Sequence, residues 1–199
     1  SNRLFRALYN LYAPLYDRLE NALAKLMWPD FSEAELREEI AASLELGPAS
    51  SVLEVCVGTG GNLPFIRART RGLIVGLDIS EEMLRVCARK VKQLGLAPVR
   101  LFLGCAEHLP FARGAFDRIL IGGGISYFSD PRRALAEAAR VVREDGLVVV
   151  FEQSSLLERL LGRVDLPLRC LPPGLRPLER RWLFGRSFYL LKLAKDGSS

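Results

Sequence analysis

The stretch Val52-Leu53-Glu54-Val55-Cys56-Val57-Gly58-Thr59-Gly60 has the residue types of a ligand cradle. An apolar run that opens into glycines and then a helix lets a ligand lie against bare backbone beside a helix N-terminus. Twenty residues after Gly58, a second apolar run, Leu73–Asp78, ends in an acid. A carboxylate at the end of the second strand of a parallel sheet can accept hydrogen bonds from ribose hydroxyls, so the pair points to a nucleoside-containing ligand. The dinucleotide spacing G-x-G-x-x-G fails at its third glycine, because the sixth place from Gly58 is Leu63. Three side chains could move a proton. His108, the only histidine, is either a base or a solvated loop residue. Glu152 either faces the acceptor mouth at the end of a strand or caps a neighbouring element. Tyr127 either lines a pocket or packs as a helix aromatic. The cysteines Cys56, Cys87, Cys105 and Cys170 form no CxxC pair, and with one histidine no metal site is expected.

These residues need a frame, and the sequence supplies one. Strands are expected over Ser51–Val57, Leu73–Asp78, Val99–Cys105, Phe116–Gly122 and Leu147–Gln153, alternating with amphipathic stretches. Ser32 with Glu35 forms a capping box for a helix carrying Leu36, Ile40 and Leu44, and Gly47-Pro48 stops it. Ser80 caps a helix with Glu81 and Glu82 in its first turn, and Asp130-Pro131 opens another, running to about Val142. Gly146 is expected to end that element. Such alternation implies βαβ units in a parallel sheet with helices on both faces, and the apolar runs Ile119–Ile121 and Leu147–Phe151 belong at its centre. Beyond Gln153 the pattern changes to a Leu-rich helix around Leu156–Leu161, a Pro-rich stretch over Leu166–Pro177, and two strands, Leu178–Phe184 and Arg186–Leu193. The short connection at Gly185 makes those two antiparallel.

The chain has 199 residues, 49% hydrophobic and 26% charged, the composition of one globular domain. The sparse cysteines fit a reduced, cytoplasmic protein. No signal peptide is expected, since the first thirty residues lack a continuous apolar core before a small-residue cleavage site, and no apolar run is long enough to span a bilayer. The net charge is +5, and only five of the 28 basic residues are Lys. The Arg excess reads either as genomic base composition or as a surface that meets phosphate or anionic lipid.

Four segments, taken together, resemble class I S-adenosylmethionine-dependent methyltransferases. They are Glu54–Gly60, Gly76–Leu84, Ala106–Phe111 with Phe116-Asp117, and Arg140–Gly146. The likeness is to the ubiquinone/menaquinone C-methyltransferase type and to small phospholipid and thiol methyltransferases. It covers about residues 50–153 and fades before 30 and after 155. It implies a doubly wound α/β three-layer sandwich, with a seven-stranded, mostly parallel sheet whose last strand is antiparallel. It implies a single domain over 1–199, comprising a lid or acceptor segment (1–30), a cofactor core (50–153), an acceptor-side insert (154–177) and a terminal hairpin (178–194). The implied cofactor is S-adenosyl-L-methionine. Gly58, Thr59 and Gly60 would admit its methionine part, with Glu54 organising the loop, and Asp78 would hold the ribose. Ile79 and Met83 would sandwich the adenine, though Met83 reads equally as core. Cys105, Ala106 and Glu107 would border the adenine edge, and Gly122 would face the methionine moiety or the acceptor. Tyr16, with Tyr9 and Tyr12, would close the cofactor from an N-terminal helix, or simply pack on the sheet. Two departures stand out. Cys56 replaces a usual glycine, and Cys105 replaces an aspartate that accepts from the adenine amino group, a role for which a thiol is poor.

The resemblance implies methyl transfer by in-line displacement, for which no covalent nucleophile is needed. The apolar N-terminal segment and the Leu- and Arg-rich insert (Arg159, Arg163, Arg169, Arg176) suit a small hydrophobic or lipid-like acceptor, of quinone or phospholipid head-group type, met at an anionic membrane surface. The alternatives are a soluble small molecule such as a thiol, and a catalytically silent cofactor-binding partner module. Nucleic acid is disfavoured because the basic residues are scattered rather than interleaved with aromatics.

Overall fold

A computed structural model describes residues 32–153 and 165–196. The expected N-terminal helix, the 1–30 segment and the Leu156–Leu161 helix lie outside the described residues. Seven strands form one sheet in the order β3-β2-β1-β4-β5-β7-β6. They are β1 (Val52–Val55), β2 (Ile74–Asp78), β3 (Val99–Leu103), β4 (Phe116–Gly122), β5 (Val142–Gln153), β6 (Leu175–Leu183) and β7 (Phe188–Lys195). The first five pair in parallel, and β7 runs antiparallel to both β5 and β6. The chain reverses direction in the sheet between β3 and β4, which leave β1 on opposite sides. Clefts at the carboxyl ends of strands form at such a point.

Alternate residues of each strand serve opposite faces, and this splits the core in two. On one face, Val52, Ile74, Leu120 and Val149 pack with helices α1 (Glu33–Ser43), α2 (Leu63–Arg67) and α3 (Glu81–Gln93) through Leu36, Ile40, Leu63, Ile66 and Cys87. On the other, Leu53, Val55, Val75, Ile119 and Val150 pack with α4 (Pro131–Val141) through Ala134, Leu135 and Ala138. The three expected caps form. Ser32 accepts from Glu35 N–H, Ser80 from Met83 N–H and Asp130 from Arg133 N–H.

The structure corrects two expectations. Gly146 does not end α4. The strand begins at Val142, directly after the helix, and Gly146 lies inside β5 at an irregularity in the β4–β5 register. A Cβ there would meet Val142 Cγ2 at 2.5 Å and the Asp117 carbonyl at 2.8 Å, so the glycine serves a bulge rather than a stop. The terminal hairpin is also longer than expected, with β6 starting at Leu175, preceded by one short helical turn, α5 (Leu166–Arg169).

Candidate functional site

A cleft opens at the carboxyl ends of β1, β2 and β4, with about 760 Å³ of space including its mouth. Sheet order arranges its walls. Ile79, Met83, Gly104, Cys105, Ala106 and Glu107 close the β2–β3 end, Cys56, Gly58 and Asp78 form the middle, and Gly122–Gly124, Tyr127 and Phe128 close the β4 end.

Asp78 is the most firmly built side chain here. Its Oδ2 accepts from Gly58 N–H at 2.8 Å and its Oδ1 from Ser80 N–H at 2.9 Å, so one carboxylate joins the glycine loop to the cap of α3. Burial raises its pKa, and the hydrogen bonds from Ser80, Gly58 and Ile79 oppose that rise. Each oxygen keeps accepting capacity toward the cleft.

The loop is also fixed from behind. Glu54 Oε1 accepts from Asn62 Nδ2 at 2.6 Å, and Asn62 Oδ1 accepts from Arg37 at 3.1 Å, linking α1 to β1 through the loop. Glu54 Oε2 is buried and accepts no hydrogen bond among the described residues. Burial, the largest influence, pushes the Glu54 carboxyl up to about 7. Gly60 has φ of +80°, and a Cβ on it would stand 2.7 Å from Cys87 Sγ. Glycine is required there for packing against α3. Glu54, Thr59 and Gly60 therefore sit behind the cleft wall, whereas Gly58, Asp78, Ile79, Met83, Cys105, Ala106, Glu107 and Gly122 are on it.

Cys56 is on the wall as well, at φ of +61°. A side chain in that region costs on the order of 1–3 kcal/mol, so its neighbours must impose it. Before it, Val55 is held in the β1 ladder, and after it, Val57 N–H donates to the Leu77 carbonyl at 3.1 Å and Gly58 N–H to Asp78.

The β3-side wall is held by α4. Arg140 donates to the Phe111 and Leu109 carbonyls at 2.7 and 2.9 Å and to both oxygens of Glu137. Glu137 in turn accepts from Leu109 N–H at 2.8 Å. Two of the segments that carry the family likeness are thus one structural unit. Glu107 Oε1 accepts from Ser129 N–H at 3.0 Å, tying this wall to the start of α4. Burial first, and then the Glu107 charge, raises the Cys105 thiol.

The three proton-transfer candidates separate. Tyr127 lines the mouth and is 46% exposed. Glu152 is buried, its Oε2 accepting from Ser126 N–H at 3.2 Å, which is the capping alternative. His108 is exposed beside Arg133, 3.2 Å from its guanidinium, and off the cleft wall. Tyr16 lies outside the described residues. Sequence reasoning overlooked Asn62 and Arg37, whose polar types between glycines and an apolar helix were the available signal. It also overlooked Phe128 and Val55 on the wall.

A model of the ubiE/COQ5 methyltransferase family matches residues 6–163. The chain belongs to that family. A demethylmenaquinone methyltransferase of Bacillus cytotoxicus is 39% identical over 120 residues, covering 59% of this chain and 51% of that protein. The chain thus matches about half the length of such curated relatives. Among solved structures, a SAM-dependent methyltransferase from Aquifex aeolicus superposes with a TM-score of 0.69 at 20% identity, covering 85% of this chain and 92% of that one. Geranyl diphosphate C-methyltransferase from Streptomyces coelicolor, solved with S-adenosyl-L-homocysteine, gives 0.69 at 16% identity over 83% and 79%. These likenesses show the fold, the Rossmann-like α/β sandwich of methyltransferases. The donor set suits the family's cofactor: a carboxylate with free acceptor capacity in mid-cleft, apolar Ile79 and Met83 beside it, and glycine backbone toward β4.

Proposed function

We propose that this chain transfers the methyl group of S-adenosylmethionine to a small, neutral, hydrophobic acceptor of the hydroquinone type. The observation that carries the reading is one continuous cleft. It runs from the Asp78 carboxylate to an apolar, glycine-lined end at Gly122–Gly124 and Phe128, open to solvent at Tyr127. The family match and the demethylmenaquinone methyltransferase relatives support it.

When bound, the cofactor supplies an activated methyl group on a sulfonium. The chain supplies placement. Asp78 accepts from the ribose, Ile79 and Met83 hold the base, and the Gly58 backbone admits the methionine arm. Since β1 lies between β2 and β4, an arm admitted at Gly58 would lead toward Gly122 and the β4 end, where the methyl group would be offered. There Phe128 and Gly122–Gly124 exclude water and align the acceptor, and in-line alignment provides much of the acceleration for such a displacement. The Asp78, Glu152 and Glu107 carboxylates bear electrostatically on Cys56 in this region. Their negative field favours a cationic donor and repels an anionic acceptor.

Calorimetry with S-adenosylmethionine and S-adenosylhomocysteine tests the first half, with binding of both expected. No binding overturns it. Formation of S-adenosylhomocysteine with 1,4-naphthoquinol, set against an anionic acceptor such as a prenyl diphosphate, tests the second. Turnover with the anionic acceptor alone overturns the neutral class. Delivery of the acceptor from an anionic membrane belongs to the same reading. Of the insert arginines, Arg169 and Arg176 are exposed, and Arg159 and Arg163 lie outside the described residues. Salt-sensitive flotation with phosphatidylglycerol vesicles is expected, and its absence overturns that part.

A further inference from the structure

One contact on the cleft wall is tighter than ligand binding alone requires. A Cβ placed on Gly124 would stand 2.6 Å from Cys56 Sγ, 3.2 Å from Cys56 Cβ and 3.5 Å from Phe128 Cε1. Real Cβ atoms do not approach sulfur at 2.6 Å, so position 124 is bare because the Cys56 side chain uses its space. The converse also holds. Cys56 occupies a backbone region that favours glycine, at φ of +61°, and its side chain, on the cleft wall and packed against the core, also reaches Gly124 in the β4 loop. Each residue makes room for the other.

The couple lies where size discrimination has most effect. Cys56 directly follows β1, Gly124 follows β4, and the two strands are neighbours. A cofactor whose ribose meets Asp78 on β2 must pass this junction before it reaches an acceptor at Phe128 and Tyr127. We propose that Cys56, accommodated by Gly124, is a specificity-determining residue that sets the width of the cleft at the donor–acceptor junction and limits the transferred group to a methyl. The inference rests on the methyltransferase reading and adds a steric filter to it.

A thiol beside an alkylating sulfonium must not ionise, or it would itself attack the methyl carbon. Burial, and then the charges of Asp78, Glu152, Glu107 and Glu54, hold the Cys56 thiol well above the usual thiol range. It supplies bulk without nucleophilicity.

S-adenosylethionine, which carries ethyl in place of methyl, probes the filter without knowledge of the acceptor. In a tight pocket, one methylene changes affinity about 10–200-fold. Calorimetry on the native chain is expected to give at least tenfold weaker binding of the ethyl than of the methyl compound. In Cys56→Gly the ratio should fall to about threefold or less, by the same methylene argument. An unchanged ratio in Cys56→Gly, or equal binding of the two compounds by the native chain, overturns the filter while leaving cofactor binding intact. Failure of the native chain to bind either compound overturns the filter together with the methyltransferase reading, and so marks the latter as the point of failure. Gly124→Ala gives a second arm. It should weaken binding of both compounds, and Cys56→Gly/Gly124→Ala should restore it, whereas additive losses overturn the couple. A thermal melt reports whether Gly124→Ala is folded; if it is not, the Cys56→Gly ratio decides alone.

Discussion

The two ends of the cleft are built by different means. The β2–β3 end and the middle are over-determined: Asp78 holds two backbone N–H groups, Glu54, Asn62 and Arg37 brace the loop from behind, and Arg140 with Glu137 pins Leu109–Phe111 beside the Cys105–Glu107 wall. The β4 end is three consecutive glycines, an exposed tyrosine and a phenylalanine, with Glu152 bracing the turn at Ser126. A site that takes one invariant cofactor can be rigid and charge-tuned. A site that takes a hydrophobic acceptor needs room, an opening and few polar demands. Stability and recognition should therefore respond differently at the two ends.

The sharpest way to break this contrast is at Asp78. Asp78→Ala removes the proposed ribose acceptor and the brace on Gly58, and cofactor affinity should fall about 100-fold, as expected for loss of two hydrogen bonds to a charged group. Titration calorimetry measures it. Arg140→Ala leaves two carbonyls and Glu137 without their donor and should cost about 2 kcal/mol, lowering the melting midpoint by roughly 4–8 °C. A pH series tests Glu54. Its carboxyl is raised from the ordinary 4.5 to about 7, so the folded state binds the proton more tightly than the unfolded one. This contribution is complete below about 4.5 and is lost as pH rises through about 7. The cofactor-free protein should melt lower at pH 8 than at pH 6, and Glu54→Gln should flatten that slope. Tyr127→Ala should raise the KM for 1,4-naphthoquinol about three- to tenfold, the scale of a half-exposed aromatic contact, and shift cofactor Kd by less than about twofold. The smallest effect belongs to His108→Ala, which should leave kcat within about twofold, since a positioned proton-transfer group contributes about 10²–10⁴. A larger drop would give this exposed loop residue a role at the reacting end.

Much of the rigid end was legible in the sequence because short-range rules govern it. Caps at Ser32, Ser80 and Asp130, the offset from Gly58 to Asp78, and the apolar runs of β1, β2 and β4 are all local patterns. The braces were not legible. Arg37 meets Asn62 from 25 residues away, and Arg140 meets Phe111 from 29, and no single-sequence pattern encodes such pairs. Gly146 misled for the opposite reason: a glycine after a helix ordinarily means a stop, and here the β4–β5 register demanded a bulge. Cys56 was visible as a departure from the family pattern. Its meaning became clear only beside Gly124, 68 positions further on.

The reversed strand near the end of the sheet has a consequence for synthesis. β7 sits between β5 and β6, so β5 exposes one edge until residue 195 has emerged. During translation that edge, apolar on both faces from Leu147 to Phe151, is an open template for any passing strand. Among the described residues, by contrast, the cleft walls come from residues 55–128, which are translated before that hairpin.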